Sequence, residues 1–232
     1  MSRGLGDVYK RQGDIVYDMN DGEQVNITCP DIPEIPLIND SSAESKAGGM
    51  PKYNIGMLIN SRAVENIPSG KQLQNYPAFA QGSTNLCWAG TIASMVKYEF
   101  PSQYSGISIN DVCKAANYYD GANWDIIKKA MNYYFKSPYL PTLIESPLTR
   151  DQVKVVIQND DPGLMSSLNP SETSAHITAL IGYKDTPAGM SVKIMNPGTG
   201  KLEWGNYSTS AFSYSYNNET YKWDKTIRLL YR

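Results

Sequence analysis

The chain has 232 residues, of which 41% are hydrophobic and 19% are charged, and its formal net charge is −2. This composition excludes a wholly disordered protein, and the length allows one domain of the common ~100–200 residues together with an extension. No apolar run approaches the ~18 residues that a membrane-spanning helix needs, so we expect no transmembrane segment.

The first part of the chain differs from the rest in composition. Residues 1–12 resemble a translated sequencing adapter, and we treat them as a non-native segment. Residues 13–45 hold eight acidic residues and neither Lys nor Arg, whereas residues 46–232 carry 18 basic and 14 acidic residues. We expect residues 13–68, rich in Asp, Asn, Pro, Gly and Ser, to form an acidic leader, a linker or a pro-segment remnant. Charge complementarity favours a contact of this leader with the basic body, and a plain solvated linker is an equal alternative.

Residues 69–232 are predicted to form one domain in which helices precede strands. Amphipathic patterns and caps predict helices at Leu86–Phe100, at Asn110–Tyr119 after a start at Ser108 or Asn110, at Trp124–Phe135, and after the capping box of Thr149 and Gln152. Beyond Pro162 and Gly163, apolar runs predict strands at Leu164–Leu168, Ile177–Tyr183 and Val192–Met195, with aromatic alternation from Tyr207 to Tyr231. Helices followed by strands indicate an α+β fold.

The cysteines and the single histidine limit the metal chemistry of the chain. Cys29, Cys87 and Cys113 contain no C-x-x-C pair, and one imidazole cannot complete a usual Cys/His zinc site. We therefore expect no metal and no other cofactor. One disulfide could join Cys29 to Cys113, which their spacing alone cannot establish.

Cys87 begins the strongest predicted helix, within the segment Gln81-Gly-Ser-Thr-Asn-Leu-Cys-Trp-Ala. Backbone N–H groups at a helix N-terminus, with the positive end of the helix dipole, favour a thiolate over a thiol. A neighbouring imidazolium lowers a thiol pKa further, and His176 is the only histidine that could supply it. Because His176 leads an apolar, strand-forming run, we expect it to hold the thiolate as an ion pair and to protonate a leaving amine.

Two further residues complete this hypothesis. An imidazole base needs a partner that fixes its tautomer, and Asn196 is preferred over Asp185, which we expect in a surface turn. Gln81, six residues before Cys87, could present its side-chain N–H to a developing oxyanion together with the Cys87 backbone N–H. The plain alternatives are a polar loop residue for Gln81 and a turn former before Pro197 for Asn196.

The order of these motifs resembles the papain-like cysteine peptidase superfamily. The motifs are Gln-x5-Cys-Trp-Ala at a helix start, H-x5-G-Y at a strand, and Asn-Pro after the next strand. Over about Asn75 to Tyr231 the sequence is similar to bacterial C39-like and staphopain-like peptidases. The usual Cys-Gly-Ser-Cys-Trp and Asn-Ser-Trp-Gly of eukaryotic papain relatives are replaced, and Trp204 is the candidate for the Trp that shields the Asn in those relatives.

The resemblance implies a two-lobed fold, with an N-terminal helical lobe, a C-terminal lobe of antiparallel strands and the active site in the cleft between them. It further implies a monomeric cysteine endopeptidase that acts on peptides or proteins and is secreted or at the cell surface. Alternatives are a cysteine amidase or leader-processing peptidase with a narrow substrate, and a catalytically idle papain-like binding module. Scattered rather than clustered Lys and Arg argue against nucleic acid as a partner.

Overall fold

The computed structural model describes residues 16–18, 67–136, 139–207, 212–216 and 218–231. Within these residues, four helices and nine strands form an α+β fold, as predicted. No helix in the described ranges is both long and apolar enough to cross a membrane. Most of the predicted leader, including Cys29, lies outside them.

The four helices follow from the predicted patterns and caps. They are α1 (Cys87–Glu99), α2 (Ile109–Ala116), α3 (Trp124–Tyr134) and α4 (Arg150–Gln158). The predicted capping box opens α4, where the Thr149 hydroxyl accepts a hydrogen bond from the Gln152 N–H and the Gln152 side chain accepts one from the Thr149 N–H. The expectation that α2 extends to Tyr119 is wrong, because Asn117 adopts a left-handed conformation and ends the helix.

The strands form one antiparallel sheet in the order β1-β3-β9-β4-β5-β6-β7-β8, with β2 paired to β5. They are β1 (Val16–Asp18), β2 (Gly70–Gln72), β3 (Tyr139–Ile144), β4 (Gly163–Leu168), β5 (Ala175–Thr186), β6 (Gly189–Asn196), β7 (Lys201–Tyr207), β8 (Phe212–Tyr216) and β9 (Glu219–Tyr231). Because β8 also pairs with β9, strands β4 to β9 close into a ring. The short β1, from the stretch predicted as a leader, pairs with β3.

Helix α1 lies at the centre of the fold, in contact with α2, α3 and strand β5. Its predicted core residues Ile92, Met95 and Val96 are fully buried, as is Trp88 in its first turn. The buried hydroxyl of Thr91 donates a hydrogen bond of 3.1 Å to the carbonyl oxygen of Ile177 in β5. Burial and this hydrogen bond together fix the start of α1 beside the first residues of β5.

Strand β5 is held closely between its neighbours. A Cβ atom at Gly182 would lie 3.0 Å from the Gln72 Cβ in β2 and 3.1 Å from the Lys193 Cβ in β6. The glycine of the H-x5-G-Y motif therefore allows β2, β5 and β6 to lie close together. The next residue, Tyr183, donates its hydroxyl hydrogen to the Pro68 carbonyl at 2.8 Å, which joins the beginning of the described domain to β5.

Candidate active site

A cavity of about 750 Å³ lies between the start of α1 and the start of β5. Three of the four predicted site residues, Gln81, Cys87 and His176, line this cavity. The fourth, Asn196, is fully buried at the end of β6 and contacts the imidazole of His176. The fold thus brings together side chains that are separated by up to 115 positions in the sequence.

Cys87 is the first residue of α1 and is a partly buried free thiol. Burial raises the pKa of this thiol, whereas hydrogen bonds from the backbone N–H groups of Ile177, Trp88 and Cys87 itself lower the pKa. The helix N-terminus therefore acts in the predicted direction, but desolvation is the larger effect on the pKa. The contact with the Ile177 N–H places the sulfur next to the strand residue that follows His176.

His176 is 3% exposed and its ring orientation is fixed by a hydrogen bond. Its Nε2 lies 2.8 Å from the Oδ1 of Asn196. An amide oxygen can only accept, so Nε2 carries the hydrogen and Nδ1 of the neutral ring is the basic nitrogen. Burial lowers the pKa of His176, while the Asn196 hydrogen bond and the negative charge of Glu203 act to raise the pKa.

Asn196 has the position expected of the histidine partner. Its Oδ1 also accepts a hydrogen bond of 3.0 Å from the Gly198 N–H, and its Nδ2 donates to Glu203 Oε2 at 3.1 Å. Asp185 is exposed as predicted but lies in β5, not in a turn, where it forms an ion pair of 2.8 Å with Lys154. The amide of Asn196, and not the carboxylate of Asp185, is therefore in hydrogen-bond contact with the imidazole.

Gln81 is held at the rim of the cavity by its backbone and its side chain. Its N–H donates to the Pro197 carbonyl at 2.8 Å, which ties this loop to the turn after Asn196. Its side-chain Nε2 donates to the carbonyl oxygen of Thr84, and its Oε1 is buried without a hydrogen bond from the described residues. Because an amide nitrogen carries two hydrogens, one Nε2 hydrogen remains for another acceptor.

Two aromatic residues of the site were not predicted. The Tyr216 ring stacks on the His176 imidazole, with centroids 4.1 Å apart and planes within 6°, and Tyr221 meets the same imidazole at 5.9 Å. Trp204, the candidate for a shielding ring, is instead 41% exposed, with the Lys184 Nζ 4.4 Å from its ring centroid. The aromatic alternation of the last segment was the available signal for the tyrosines.

Glu203 was also missed by the sequence analysis. It lies in β7, where it pairs with Ile194, while Asn196 pairs with Lys201. Alternate residues of a strand share a face, so Glu203 is a diagonal neighbour of Asn196. Recognition of the turn at Pro197–Gly200 as a hairpin connection would have placed this carboxylate beside the amide.

The thiol of Cys113 does not line the cavity. Cys113 in α2 is fully buried and forms no disulfide within the described residues. Cys29, its possible disulfide partner, lies outside the described ranges. In the described ranges, no group of three or more His, Cys, Asp or Glu side chains is placed to hold a metal ion. The cavity itself presents a thiol, an imidazole, amide groups and several hydroxyl groups, among them those of Tyr216 and Tyr221.

Comparison with known proteins gives one family. No curated protein matches the chain, but a family model described as papain-like cysteine protease AvrRpt2 matches residues 66–217. This match confirms the predicted papain-like superfamily, while the C39-like or staphopain-like subtype is not confirmed. It covers more than half of the chain and includes all four predicted site residues. The chain therefore belongs to the family of papain-like cysteine proteases described by AvrRpt2.

Proposed function

We propose that the protein is a cysteine endopeptidase in which Cys87 is the nucleophile and His176 the acid–base group. The observation that carries this proposal is the shared cavity of Cys87 and His176, with the imidazole held by Asn196 through Nε2. The cavity is lined by residues at the start of α1 and in the loop before α3, and by residues of strands β5, β8 and β9. This arrangement supports a two-lobed papain-like fold as part of the same proposal.

In the first step, the thiol proton of Cys87 passes to His176 and the thiolate attacks the carbonyl carbon of the peptide bond. A C–S bond forms, the carbonyl electrons move to oxygen, and the C–N bond then breaks as the imidazolium donates its proton to the amine. The products are a free amine and a thioester on Cys87. In the second step His176 takes a proton from water, and the hydroxide displaces the sulfur to release a carboxylic acid.

The pKa values of Cys87 and His176 are both shifted, so the proton transfer between them depends on the two groups together. Burial raises the pKa of the Cys87 thiol and lowers that of His176, so each group alone favours its neutral form. Transfer between them creates opposite charges in one cavity, and their attraction offsets part of the desolvation cost. We infer that the thiolate–imidazolium pair is stabilised by the two groups jointly and not by the helix dipole alone.

The developing oxyanion is bound by the Cys87 backbone N–H and the remaining Nε2 hydrogen of Gln81. The first N–H groups of a helix lack partners within the helix, so that of Cys87 is suited to this task. The bond from Nε2 to the Thr84 carbonyl and the backbone bond to Pro197 hold the amide in place before substrate binds. Donors oriented in advance need no reorganisation when charge appears in the transition state.

The direct test is labelling of Cys87 with iodoacetamide at about pH 5 to 6, where an unpaired thiol of pKa ~8.5 reacts slowly. We expect rapid labelling of the native chain and its loss in His176→Ala, because no other histidine can replace this imidazole. Cys87→Ala, which retains Cys29 and Cys113, reports the labelling of the other cysteines. A Cys87 that reacts no faster than free cysteine would favour the idle binding module.

Turnover is tested with a peptide library, which also separates a broad endopeptidase from a narrow amidase or processing peptidase. We expect cleavage by the native chain, no cleavage by Cys87→Ala or His176→Ala, and slowed cleavage by Asn196→Ala, which retains both reacting groups. Full activity in His176→Ala would refute the mechanism.

A further inference from the structure

A carboxylate lies directly behind the amide that holds the histidine. Glu203 of β7 accepts a hydrogen bond of 3.1 Å from the Asn196 Nδ2 at its Oε2, and its Oε1 accepts a second from the Thr199 hydroxyl. The antiparallel register of β6 and β7 fixes this diagonal contact. Both oxygens of the half-buried carboxylate are therefore engaged by residues of the same hairpin.

A carboxylate can determine which end of an amide faces it. It only accepts hydrogen bonds, so Glu203 binds the Nδ2 end of Asn196 and repels the Oδ1 end. The Oδ1 is thereby directed to the His176 Nε2 at 2.8 Å and to the Gly198 N–H at 3.0 Å. If the amide were reversed, its nitrogen would face two donors, and the imidazole would lose the acceptor that selects its tautomer.

The charge of Glu203 also acts on the imidazole. The titratable groups that face His176 are Cys87 from α1, Tyr216 from β8, Tyr221 from β9 and, through Asn196, Glu203 from β7. Among these, Glu203 is the carboxylate, and its negative charge raises the pKa of His176 against the effect of burial. The amide of Asn196 carries no charge that could stabilise an imidazolium. The carboxylate of Glu203, which binds this amide, supplies the negative charge instead.

We propose that Glu203 is a positioning residue of the catalytic site, which orients Asn196, selects the Nε2–H tautomer of His176 and stabilises its imidazolium. This inference rests on the proposed peptidase function for its kinetic consequence only. The orientation of the amide and the proton affinity of the imidazole can be measured without turnover.

The spectroscopic test uses isotope-labelled histidine, because the chain has one histidine and its NMR spectrum contains a single imidazole. In a Cys87→Ala background, we expect the Nε2–H tautomer of His176 in the parent, in which Glu203 is intact. In Glu203→Gln we expect a lower His176 pKa than in the parent. Glu203→Gln removes the charge, and its side chain can face either end of the Asn196 amide, so a mixture of tautomers is expected as well. Glu172→Gln, an equal change at an exposed glutamate, is the matched control.

The kinetic test is the pH dependence of kcat/KM for the same variants with Cys87 intact. Because Glu203 favours the protonated imidazole, Glu203→Gln should move both limbs of the profile to lower pH and reduce kcat about 10-fold or more. KM should change little, since Glu203 does not line the cavity. Glu203→Asp should restore the pH profile in part, and urea unfolding identifies any loss of folded protein.

The two proposals fail in different ways. An unchanged His176 pKa and tautomer in Glu203→Gln would overturn the positioning role, whatever the activity of the native chain. A native chain without thiol-dependent hydrolysis would overturn the peptidase, while the spectroscopic result would still decide the role of Glu203. A uniform loss of kcat without any shift of the profile would also contradict the positioning role.

Discussion

Gly198 has no side chain, and this allows the close contact between the rings of Tyr216 and His176. A Cβ atom at Gly198 would lie 2.1 Å from Cε2 and 2.4 Å from Cζ of Tyr216. The absence of a side chain therefore lets the Tyr216 ring cover the imidazole of His176 at 4.1 Å. The Gly198 N–H also donates to Asn196, so this position acts on both neighbours of the histidine.

We expect Gly198→Ala to displace the Tyr216 ring from His176 or to strain the hairpin turn, with a cost of about 1–3 kcal/mol in unfolding free energy. The imidazole then becomes more solvated, and kcat/KM falls. Peptide cleavage and urea unfolding measure both effects. Gly106→Ala is the control, because a Cβ atom there has no described neighbour within 4 Å. Equal behaviour of the two variants would show that the close approach of Tyr216 has no function.

Gln81 offers a separate test at the residue scale. If its Nε2 stabilises the oxyanion, Gln81→Ala should lower kcat about 10²–10³-fold, a loss of roughly 2.7–4 kcal/mol in transition-state stabilisation. Alkylation of Cys87 develops no oxyanion, so its rate should remain close to that of the native chain. Gln74→Ala, at an exposed glutamine, controls for a general effect of the substitution. A parallel loss of cleavage and alkylation would assign Gln81 to loop structure instead.

How far residue identities predict the site depends on how many candidates the chain offers. With one histidine, the partner of Cys87 is determined once a thiol–imidazole site is inferred, and Asn196 follows from its place at a strand end. Glu203 can be inferred only once Pro197–Gly200 is recognised as the turn of a hairpin, which fixes the register of β6 and β7. Tyr216 could not be inferred in this way, because its contact with His176 depends on closure of the ring of strands. Local patterns carry no information about which distant strands become neighbours.

At the scale of elements, the site is the meeting point of one buried helix and one buried strand. Cys87 and Thr91 are four residues apart and lie on the same face of α1. The Thr91 hydroxyl donates to the carbonyl oxygen of Ile177, the residue next to His176. This one hydrogen bond therefore joins the helix that carries the thiol to the strand that carries the imidazole.

We expect Thr91→Val to weaken this junction at nearly constant side-chain volume. Loss of a buried hydrogen bond should reduce the unfolding free energy by about 1–3 kcal/mol. A small displacement of Cys87 relative to His176 should lower kcat about 10-fold or more. Thr91→Ser keeps the hydroxyl and is the matched control for both urea unfolding and peptide cleavage. If Val and Ser variants turn over equally, the hydrogen bond contributes to stability alone.

The sequence predicts the helices better than the strands for a physical reason. The predicted α1 and α3 each agree with the structure within one residue at each end, because periodicity and caps are local signals. Strand β3 was missed because it contains Pro141, and proline argues against a strand inside a sheet. Strand β7 was missed because most of its residues are exposed or half-buried, so it has no apolar run.

At the scale of the whole molecule, the aromatic content makes stability sensitive to alkaline pH. The chain has 17 Tyr and four Phe. Burial raises the pKa of five tyrosine hydroxyls, those of Tyr134, Tyr76, Tyr183, Tyr207 and Tyr221. For Tyr134 the raised pKa is about 12. These tyrosines lie in α3, before α1, and in β5, β7 and β9, so the effect involves both the helices and the sheet.

The sign of this effect follows from proton binding. A tyrosine in the unfolded chain releases its proton near pH 10, whereas these folded tyrosines retain theirs to higher pH. Their contribution to stability is therefore complete below about pH 10 and is lost as pH rises from there towards the folded pKa. Each such tyrosine steepens the fall by up to about 1.4 kcal/mol per pH unit. We expect a cooperative alkaline unfolding, with tyrosinate absorbance appearing together with the loss of structure.

Tyr76→Phe tests this explanation at a single hydroxyl. The Ser94 hydroxyl donates to the Thr91 carbonyl at 2.7 Å, so the Tyr76 hydroxyl, 3.2 Å from the Ser94 oxygen, is the donor in their contact. Phenylalanine removes that donor and leaves the Ser94 bond to Thr91 intact. At neutral pH the unfolding free energy of the variant should be lower than that of the native chain by about 1 kcal/mol. Above about pH 10 the unfolding free energy of the variant should fall less steeply with pH, because its unfolding releases one proton fewer. Urea unfolding at a series of pH values measures both slopes, and identical slopes would show that Tyr76 does not contribute to the alkaline transition.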